Sequence, residues 1–263
     1  MFLSDNANLQ KIKDKILYYP MSERDIRDPV QLFRDFVSEF WFIDVCYQFR
    51  LPDRKQYMRG LRDMNFIGEE VRGPLNKRHK YIKKDNDHAF IYVEPAFLVH
   101  KYIYKNREIK IIFRRDIDYT ALFGPSPYEI AKNRLGIFFF RGTSNEGGSD
   151  HSWVYSREQR ILDLDNPITL IDKLVSILPD GGLIVTDVSN SQPGREDLGT
   201  SDEYRSFCQF TNSKLTCEEA FELAKPFTDH SGNKFASIGH AGQRNGPTLI
   251  WQIQKENGDI DQL

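Results

Sequence analysis

The sequence predicts an α/β fold built on a mostly parallel sheet, and two repeated arrangements lead to this prediction. The apolar run Ile16–Tyr19 is followed by a helical pattern and then by the apolar run Phe40–Val45, the order of a parallel crossover unit. A second unit begins with the wholly apolar run Ile137–Phe140 and ends with "LIVTD", Leu183–Asp187. Uninterrupted apolar runs are typical of strands that are covered on both faces.

Each unit carries a helix between its strands. In "DPVQLFRDFVSEF", Asp28 is expected at the N-cap and Pro29 at the first helical position. "NPITLIDKLVSILPDGG" has the same arrangement at Asn166 and Pro167, with Gly181 near the stop. "TCEEAFELAKPF" predicts a further helix, and "KFASIGHAGQRNGPTLIWQIQK" predicts an antiparallel pair of strands at the C-terminal end.

The middle of the chain, about 50–135, is predicted to be an inserted, β-rich segment of a single domain that spans 1–263. Three strand-like runs occur in it, "HAFIYVEP", "FLVHKYIYKN" and "EIKIIFRRDID". The last two are joined at Asn106–Arg107 in the manner of a hairpin. These strands either extend the main sheet or form a separate antiparallel lobe.

Composition sets limits on the class of protein. The formal net charge of -2 gives no field that would attract nucleic acid by itself. The three cysteines form no CxxC pair, which favours reduced thiols in a cytoplasmic compartment. No stretch approaches the length of a membrane span, so we expect a cytoplasmic protein with no membrane partner.

The order of these elements resembles the class I S-adenosylmethionine-dependent methyltransferases. "ILYYPMSERD" lies where that family has its first strand and cofactor loop, "FWFIDV" where its second strand ends in an acidic residue, and "ILPDGGLIVTD" is similar to a late helix, turn and strand. The resemblance implies a Rossmann-like, mostly parallel sheet with helices on both faces, an antiparallel C-terminal strand pair and S-adenosylmethionine as cofactor. The family's Gly-x-Gly after the first strand is absent, so the cofactor loop would be built without glycine.

Candidate cofactor-binding residues follow the ends of the predicted strands, where such sheets bind ligands. Asp25 would accept hydrogen bonds from a ribose or an amino group, and Asp44 from a pair of ribose hydroxyls. Arg141 would clamp a phosphate or carboxylate, and the glycines after it would form an anion nest. The complete predicted set is Tyr19, Pro20, Ser22, Asp25, Asp44, Arg141 and Gly142.

Candidate catalytic residues are His151, Asp150 and Asp187. His151 would act as general acid or base, and Asp187 would join the pocket or position His151. A glycine-containing loop and a capped turn are the plain structural alternatives for these residues. No HExxH or paired Cys/His spacing is present, so no structural zinc is predicted.

The sequence thus favours a methyltransferase-like enzyme that binds an adenosine-containing cofactor at the carboxyl edge of the sheet. A non-catalytic binding or interaction module is one alternative, and a nucleotide-processing enzyme without a methyl donor is another. The expected partner is a small-molecule or nucleotide ligand. The basic run "NKRHKYIKK", residues 76–84, would allow contact with nucleic acid but is more typical of a solvated loop.

Overall fold

The architecture comes from a computed structural model that describes most, but not all, of the chain. The described residues are 1–4, 9–20, 22, 25–43, 61–72, 81–84, 87–90, 96–115, 134–141, 175–187, 206–207, 209–210, 213–243 and 246–256.

Strands dominate this part of the chain. They are β1 (Phe2–Leu3), β2 (Ile16–Pro20), β3 (Glu39–Ile43), β4 (Asn65–Arg72), β5 (Tyr81–Lys84), β6 (Asp87–Phe90), β7 (Ala96–Tyr104), β8 (Arg107–Arg115), β9 (Leu135–Phe140), β10 (Leu183–Thr186), β11 (Phe227–Thr228), β12 (Lys234–Gln243) and β13 (Pro247–Gln254). The helical elements are a 3-10 turn (Gln10–Ile12), α1 (Arg27–Phe33) and α2 (Cys217–Leu223).

Eleven strands form one mixed sheet in the order β1-β12-β13-β10-β9-β2-β3-β8-β7-β4, with β11 paired to β12. The five central strands, from β10 to β8, run parallel to one another. Antiparallel strands extend the sheet on both sides, β13, β12 and β1 on one and β7 and β4 on the other. A separate hairpin pairs β5 with β6.

The predicted Rossmann-like α/β architecture, with helices on both faces of a mostly parallel sheet, is therefore wrong. The described residues are mostly β, and their sheet is mixed, with six of its eleven strands outside the parallel centre. Only two α-helices of seven residues and one 3-10 turn are defined among them, too few to form a helical layer on each face. Of the two arrangements left open for the strands of the middle segment, β7 and β8 adopt the first, because β8 pairs in parallel with β3 and so extends the main sheet.

Individual elements did follow the sequence pattern. The crossover unit of β2, α1 and β3 is present, with β2 parallel to β3 from Ile16–Glu39 to Pro20–Ile43. The C-terminal antiparallel pair is present as β12 and β13. Helix α1 begins two residues earlier than expected, with Ile26 at a cap position that has no side-chain hydrogen bond, and Asp28 lies in its first turn.

The sheet buries apolar side chains on both faces. On the face of the sheet that α1 covers, which we call the α1 face, Val30 and Phe33 of α1 pack against alternate strand residues such as Phe139 and Val185. On the opposite face, which we call the α2 face, Ala220 of α2, Val175 and Leu178 pack against the strand residues that point to that side. Because successive residues of a strand point to opposite faces, these two clusters assign each strand position to a face.

The turn that enters β10 also matches the sequence. Residues 175–177 are helical, and the predicted cap at Asn166 and Pro167 lies outside the described residues. Gly181 has φ +80°, a conformation that favours glycine, and Gly182 donates its amide to the Pro179 carbonyl. The "PDGG" stretch therefore ends the helical segment and starts the strand.

Candidate functional site

The candidate site lies at the edge of the sheet where the central parallel strands end. We call this the carboxyl edge and define it by Pro20, Phe140 and Thr186, the last residues of β2, β9 and β10, and by Pro247, the first residue of β13. In open parallel sheets, ligands bind outside this edge, at the point where neighbouring strands continue in opposite directions.

That switch point falls between β2 and β9. From β2 the chain crosses the α1 face through α1 and returns one strand away as β3. The segment that leads into β10, on the other side of β9, packs Val175 and Leu178 on the α2 face. Helix α1 and the segment just before β10 therefore lie on opposite faces of the sheet. In open parallel sheets, such a reversal is where a crevice forms at the strand ends, here those of β2 and β9.

Buried polar side chains gather at this edge. Of the seven buried polar or charged residues in the part of the chain that the structure describes, five lie at or next to the strand ends just named: Ser22, Arg141, Thr186, Asp187 and Thr248. Buried polar groups are costly unless they are paired or serve a function, so their concentration at one edge marks it as distinct from the apolar interior.

Arg141 is the centre of the cluster. Its Nε donates to Asp25 Oδ2 at 2.5 Å, and its Nη2 donates to Asp25 Oδ1 at 2.7 Å, a bidentate pair. Nη2 also donates to Asp28 Oδ2 at 2.7 Å. Burial opposes the positive charge, but the hydrogen bonds to Asp25 outweigh it and raise the pKa of Arg141, which therefore stays charged.

A third partner comes from β12. Arg141 Nη1 donates to the Ala241 carbonyl at 2.7 Å. The pairing of β12 with β13 is irregular between His240 and Gln243, which leaves Ala241 outside the regular ladder. Gly242, with φ +92°, follows it beside the guanidinium. The irregularity thus releases a carbonyl group that Arg141 uses.

Tyr19 completes the network from β2. Its hydroxyl lies 2.8 Å from Asp25 Oδ2 and 3.0 Å from the Arg141 carbonyl oxygen, so its single proton serves one of these two acceptors at a time. The Tyr19 ring packs on Phe139 with ring centroids 4.7 Å apart. The hydroxyl is thereby held at the end of β2, facing the carboxylate.

In formal charge, Arg141 and Arg27 balance Asp25 and Asp28, because Arg27 Nε lies 3.7 Å from Asp28 Oδ1. Asp187, at the same edge, brings the sum to -1. The Asp25 side chain is 9% exposed, whereas that of Asp28 is 34% exposed, so Asp28 is the carboxylate of the cluster most open to solvent.

Asp187 and Thr248 continue the edge across the next two strands. Phe140, Thr186 and Leu249 are aligned in register across β9, β10 and β13. Arg141, Asp187 and Thr248 are the next residues towards the carboxyl edge, one on each strand. Because successive side chains of a strand point to opposite faces, all three lie on the α1 face, as Val185 and Ile250 do.

The structure brings several predicted site residues together. Tyr19, Asp25 and Arg141 are in direct contact, and Asp187 lies one strand away. Pro20 is the last residue of β2, and buried Ser22 follows it, with its amide donating to the Ile43 carbonyl at 3.3 Å. Asp44, Gly142, Asp150 and His151 lie outside the described residues, so their predicted roles stay predictions.

The prediction for Arg141 differs from what its contacts show. It was expected to clamp an anionic ligand, yet its Nε, Nη1 and Nη2 atoms all donate to acceptors of the chain itself. Asp28 was expected to cap α1, but its side chain pairs with Arg141 instead. Thr248 carried no signal beyond being a threonine in a strand.

The described residues contain no group of three or more His, Cys, Asp and Glu side chains placed to hold a metal ion. They also contain no helix long and apolar enough to cross a membrane. In comparisons with known proteins, no family model, no curated protein and no solved structure matches the chain.

Proposed function

We propose that the protein binds a small polar ligand at the carboxyl edge, in the crevice between β2 and β9. The supporting observation is the concentration of buried polar groups, centred on Arg141, at the switch point of the parallel strands. A purely structural ion pair would tie α1 to the sheet, but it would not call for further buried polar side chains at Asp187 and Thr248.

The charge of the cluster favours one class of ligand. Because Arg141 is already hydrogen-bonded to Asp25 and Asp28, it does not offer a free clamp for phosphate. Asp187 adds a further carboxylate to this edge, and the carboxylates there favour a ligand that carries positive charge or hydrogen-bond donors. They disfavour a polyphosphate.

S-adenosylmethionine is our first candidate within this class. Its ribose hydroxyls and amino groups are donors, and its sulfonium and ammonium groups are positively charged. The order of elements around β2, β3 and β10 resembles methyltransferases that use this cofactor, so we propose methyl transfer as the reaction. The sulfonium would supply the transferable methyl group, and Asp28 would hold a donor group of the ligand at the edge.

Calorimetry tests this proposal with four ligands: S-adenosylmethionine, S-adenosylhomocysteine, ATP and NAD. We expect the first two to bind and ATP not to bind. Asp28→Asn should weaken S-adenosylmethionine binding about tenfold, the effect of losing one charge-assisted hydrogen bond. Asp63→Asn is the matched control, since Asp63 is also a partly exposed carboxylate paired with an arginine, Arg34, at 2.8 Å.

Two outcomes would overturn the proposal. Binding of ATP in preference to S-adenosylmethionine would favour a nucleotide-processing enzyme. No binding of any of the four ligands by folded protein, verified by circular dichroism, would favour an interaction module without a ligand at this edge.

A further inference from the structure

Among the residues that the structure describes, one hydroxyl group at the carboxyl edge, that of Thr248, has no hydrogen-bond partner. Thr248 is fully buried, and its Oγ1 is among the buried side-chain atoms for which the described structure contains no partner. An unpaired buried hydroxyl lowers folding stability because it has lost its hydrogen bonds to water. Such a group in a folded protein calls for an explanation.

Packing does not supply that explanation. Valine has nearly the shape of threonine, suits a strand at least as well, and would leave no polar atom unpaired in this position. The flanking residues of β13 are apolar and buried, Pro247 and Leu249 among them. The hydroxyl at position 248 therefore lowers the free energy of unfolding relative to a valine there.

The position of Thr248 suggests what the hydroxyl is for. It lies one residue beyond the aligned pair Thr186–Leu249, level with Asp187 on the neighbouring strand. It faces the α1 side, as Ile250 does, and that is the side on which Arg141 meets Asp25 and Asp28. The unpaired hydroxyl thus lies in the polar row that borders the proposed crevice.

We infer that the Thr248 hydroxyl is a specificity-determining group that hydrogen-bonds the ligand of the carboxyl edge. This inference rests on the proposed function. The Thr248 hydroxyl can donate or accept, whereas the Asp187 carboxylate beside it only accepts, so the group that both recognise is a hydroxyl or amino group of the ligand. The missing partner of Oγ1 in the protein is then supplied on binding.

Two substitutions at this position separate the hydroxyl from the shape of the side chain. Thr248→Val removes the hydroxyl and keeps the shape, and Thr248→Ser keeps the hydroxyl. We expect Thr248→Val to unfold at a higher urea concentration than the wild type and to bind S-adenosylmethionine about tenfold more weakly in calorimetry. Thr248→Ser should retain the wild-type affinity even if it is less stable.

Ser213→Ala is the matched control. Ser213 Oγ is also a buried hydroxyl oxygen without a partner in the described structure, but it precedes α2, next to residues that pack on the α2 face. Its removal should raise stability and leave the affinity unchanged. A stability gain shared by both variants with an affinity loss in Thr248→Val alone would support the inference.

Three results would overturn the inference, and only the last of them would also overturn the proposed function. If Thr248→Val binds S-adenosylmethionine as tightly as the wild type does, the inference is overturned and the proposed function stands. If Thr248→Val is less stable than the wild type, the hydroxyl has a structural role and the inference is overturned as well. If the wild type binds none of S-adenosylmethionine, S-adenosylhomocysteine, ATP and NAD, the proposed function fails and the inference fails with it.

Discussion

Arg141 joins three separate parts of the chain through one side chain. It follows β9, its hydrogen bonds reach Asp25 and Asp28 at the start of α1, and Nη1 reaches the Ala241 carbonyl in β12. Only 4% of the side chain is exposed, so these contacts are weakly screened by water and salt. The residue therefore serves the fold as well as the charge of the carboxyl edge.

Replacing Arg141 by methionine should be strongly destabilising. The substitution leaves the Asp25 carboxylate, 9% exposed, without the guanidinium that compensates its charge. Loss of one partner of a buried ion pair costs about 3–5 kcal/mol of unfolding free energy. Urea denaturation monitored by circular dichroism measures this difference.

The double variant Arg141→Met with Asp25→Asn serves as the control for that experiment. It removes the uncompensated charge, so it should recover part of the lost stability. A loss below about 1 kcal/mol for Arg141→Met alone, the range of an exposed ion pair, would contradict the view that this pair is buried and structural.

At this scale, the sequence predicted which residues meet but not how they are used. Tyr19, Asp25 and Arg141 were found because they lie at or after the ends of β2 and β9, and parallel strands end at one edge of a sheet. The pairing of Arg141 with Asp28 was not predicted, because Asp28 also fits a helix cap. Thr248 was missed because a sequence does not show whether a hydroxyl has a partner.

At the scale of elements, a charged side chain holds the turn before β10. The Asp180 carboxylate accepts hydrogen bonds from the Lys11 ammonium and from the Lys255 amide, the latter at 3.0 Å. It thus links the 3-10 turn, the start of β10 and the end of β13. Burial by itself would raise the pKa of Asp180, but the hydrogen bond from Lys11 and those from the backbone lower it overall.

This lowered pKa gives a pH-dependent prediction. Asp180→Asn should reduce stability at neutral pH, by about 1 kcal/mol since Lys11 is half exposed. A carboxyl group with a lower pKa in the folded state stabilises the fold above its unfolded pKa of about 3.9 and loses that effect as pH falls through the folded pKa. The difference between wild type and variant should therefore shrink below about pH 4.

Urea denaturation from pH 7 to pH 2.5 follows that difference. Lys11→Met is the matched variant, because it removes the principal partner of the same carboxylate. Like Asp180→Asn, it should reduce the change in the free energy of unfolding between pH 7 and pH 2.5. A stability difference between wild type and Asp180→Asn that stays constant down to pH 2.5 would show that Asp180 does not carry the effect.

Sequence patterns identified most elements but not their neighbours. The apolar runs predicted β2, β3, β9 and β10, and Thr216 with Glu219 forms the capping box that starts α2. The hairpin of β7 and β8 was also expected. Its place was left open, because alternating residues indicate a two-faced strand and carry no information on which strand lies beside it.

For the whole molecule, the fold class depends on which strands lie side by side, and the sequence does not show this. The segment treated as an insertion supplies β4, β7 and β8, and β8 joins the parallel strands beside β3. The chain thus builds a long mixed sheet around a short parallel centre. What positions the proposed site is this parallel centre, in which β2 and β9 are adjacent and α1 and the segment just before β10 lie on opposite faces.

The most direct test of the account is to locate the ligand on the whole molecule. Amide chemical shifts of uniformly 15N-labelled protein would be followed during titration with S-adenosylmethionine. We predict that shifts concentrate at Ser22, Arg141, Asp187 and Thr248, with the distant strand β4 unchanged. Shifts confined to β4 or to the β5–β6 hairpin, or no shifts at saturating ligand, would contradict a binding site at the carboxyl edge.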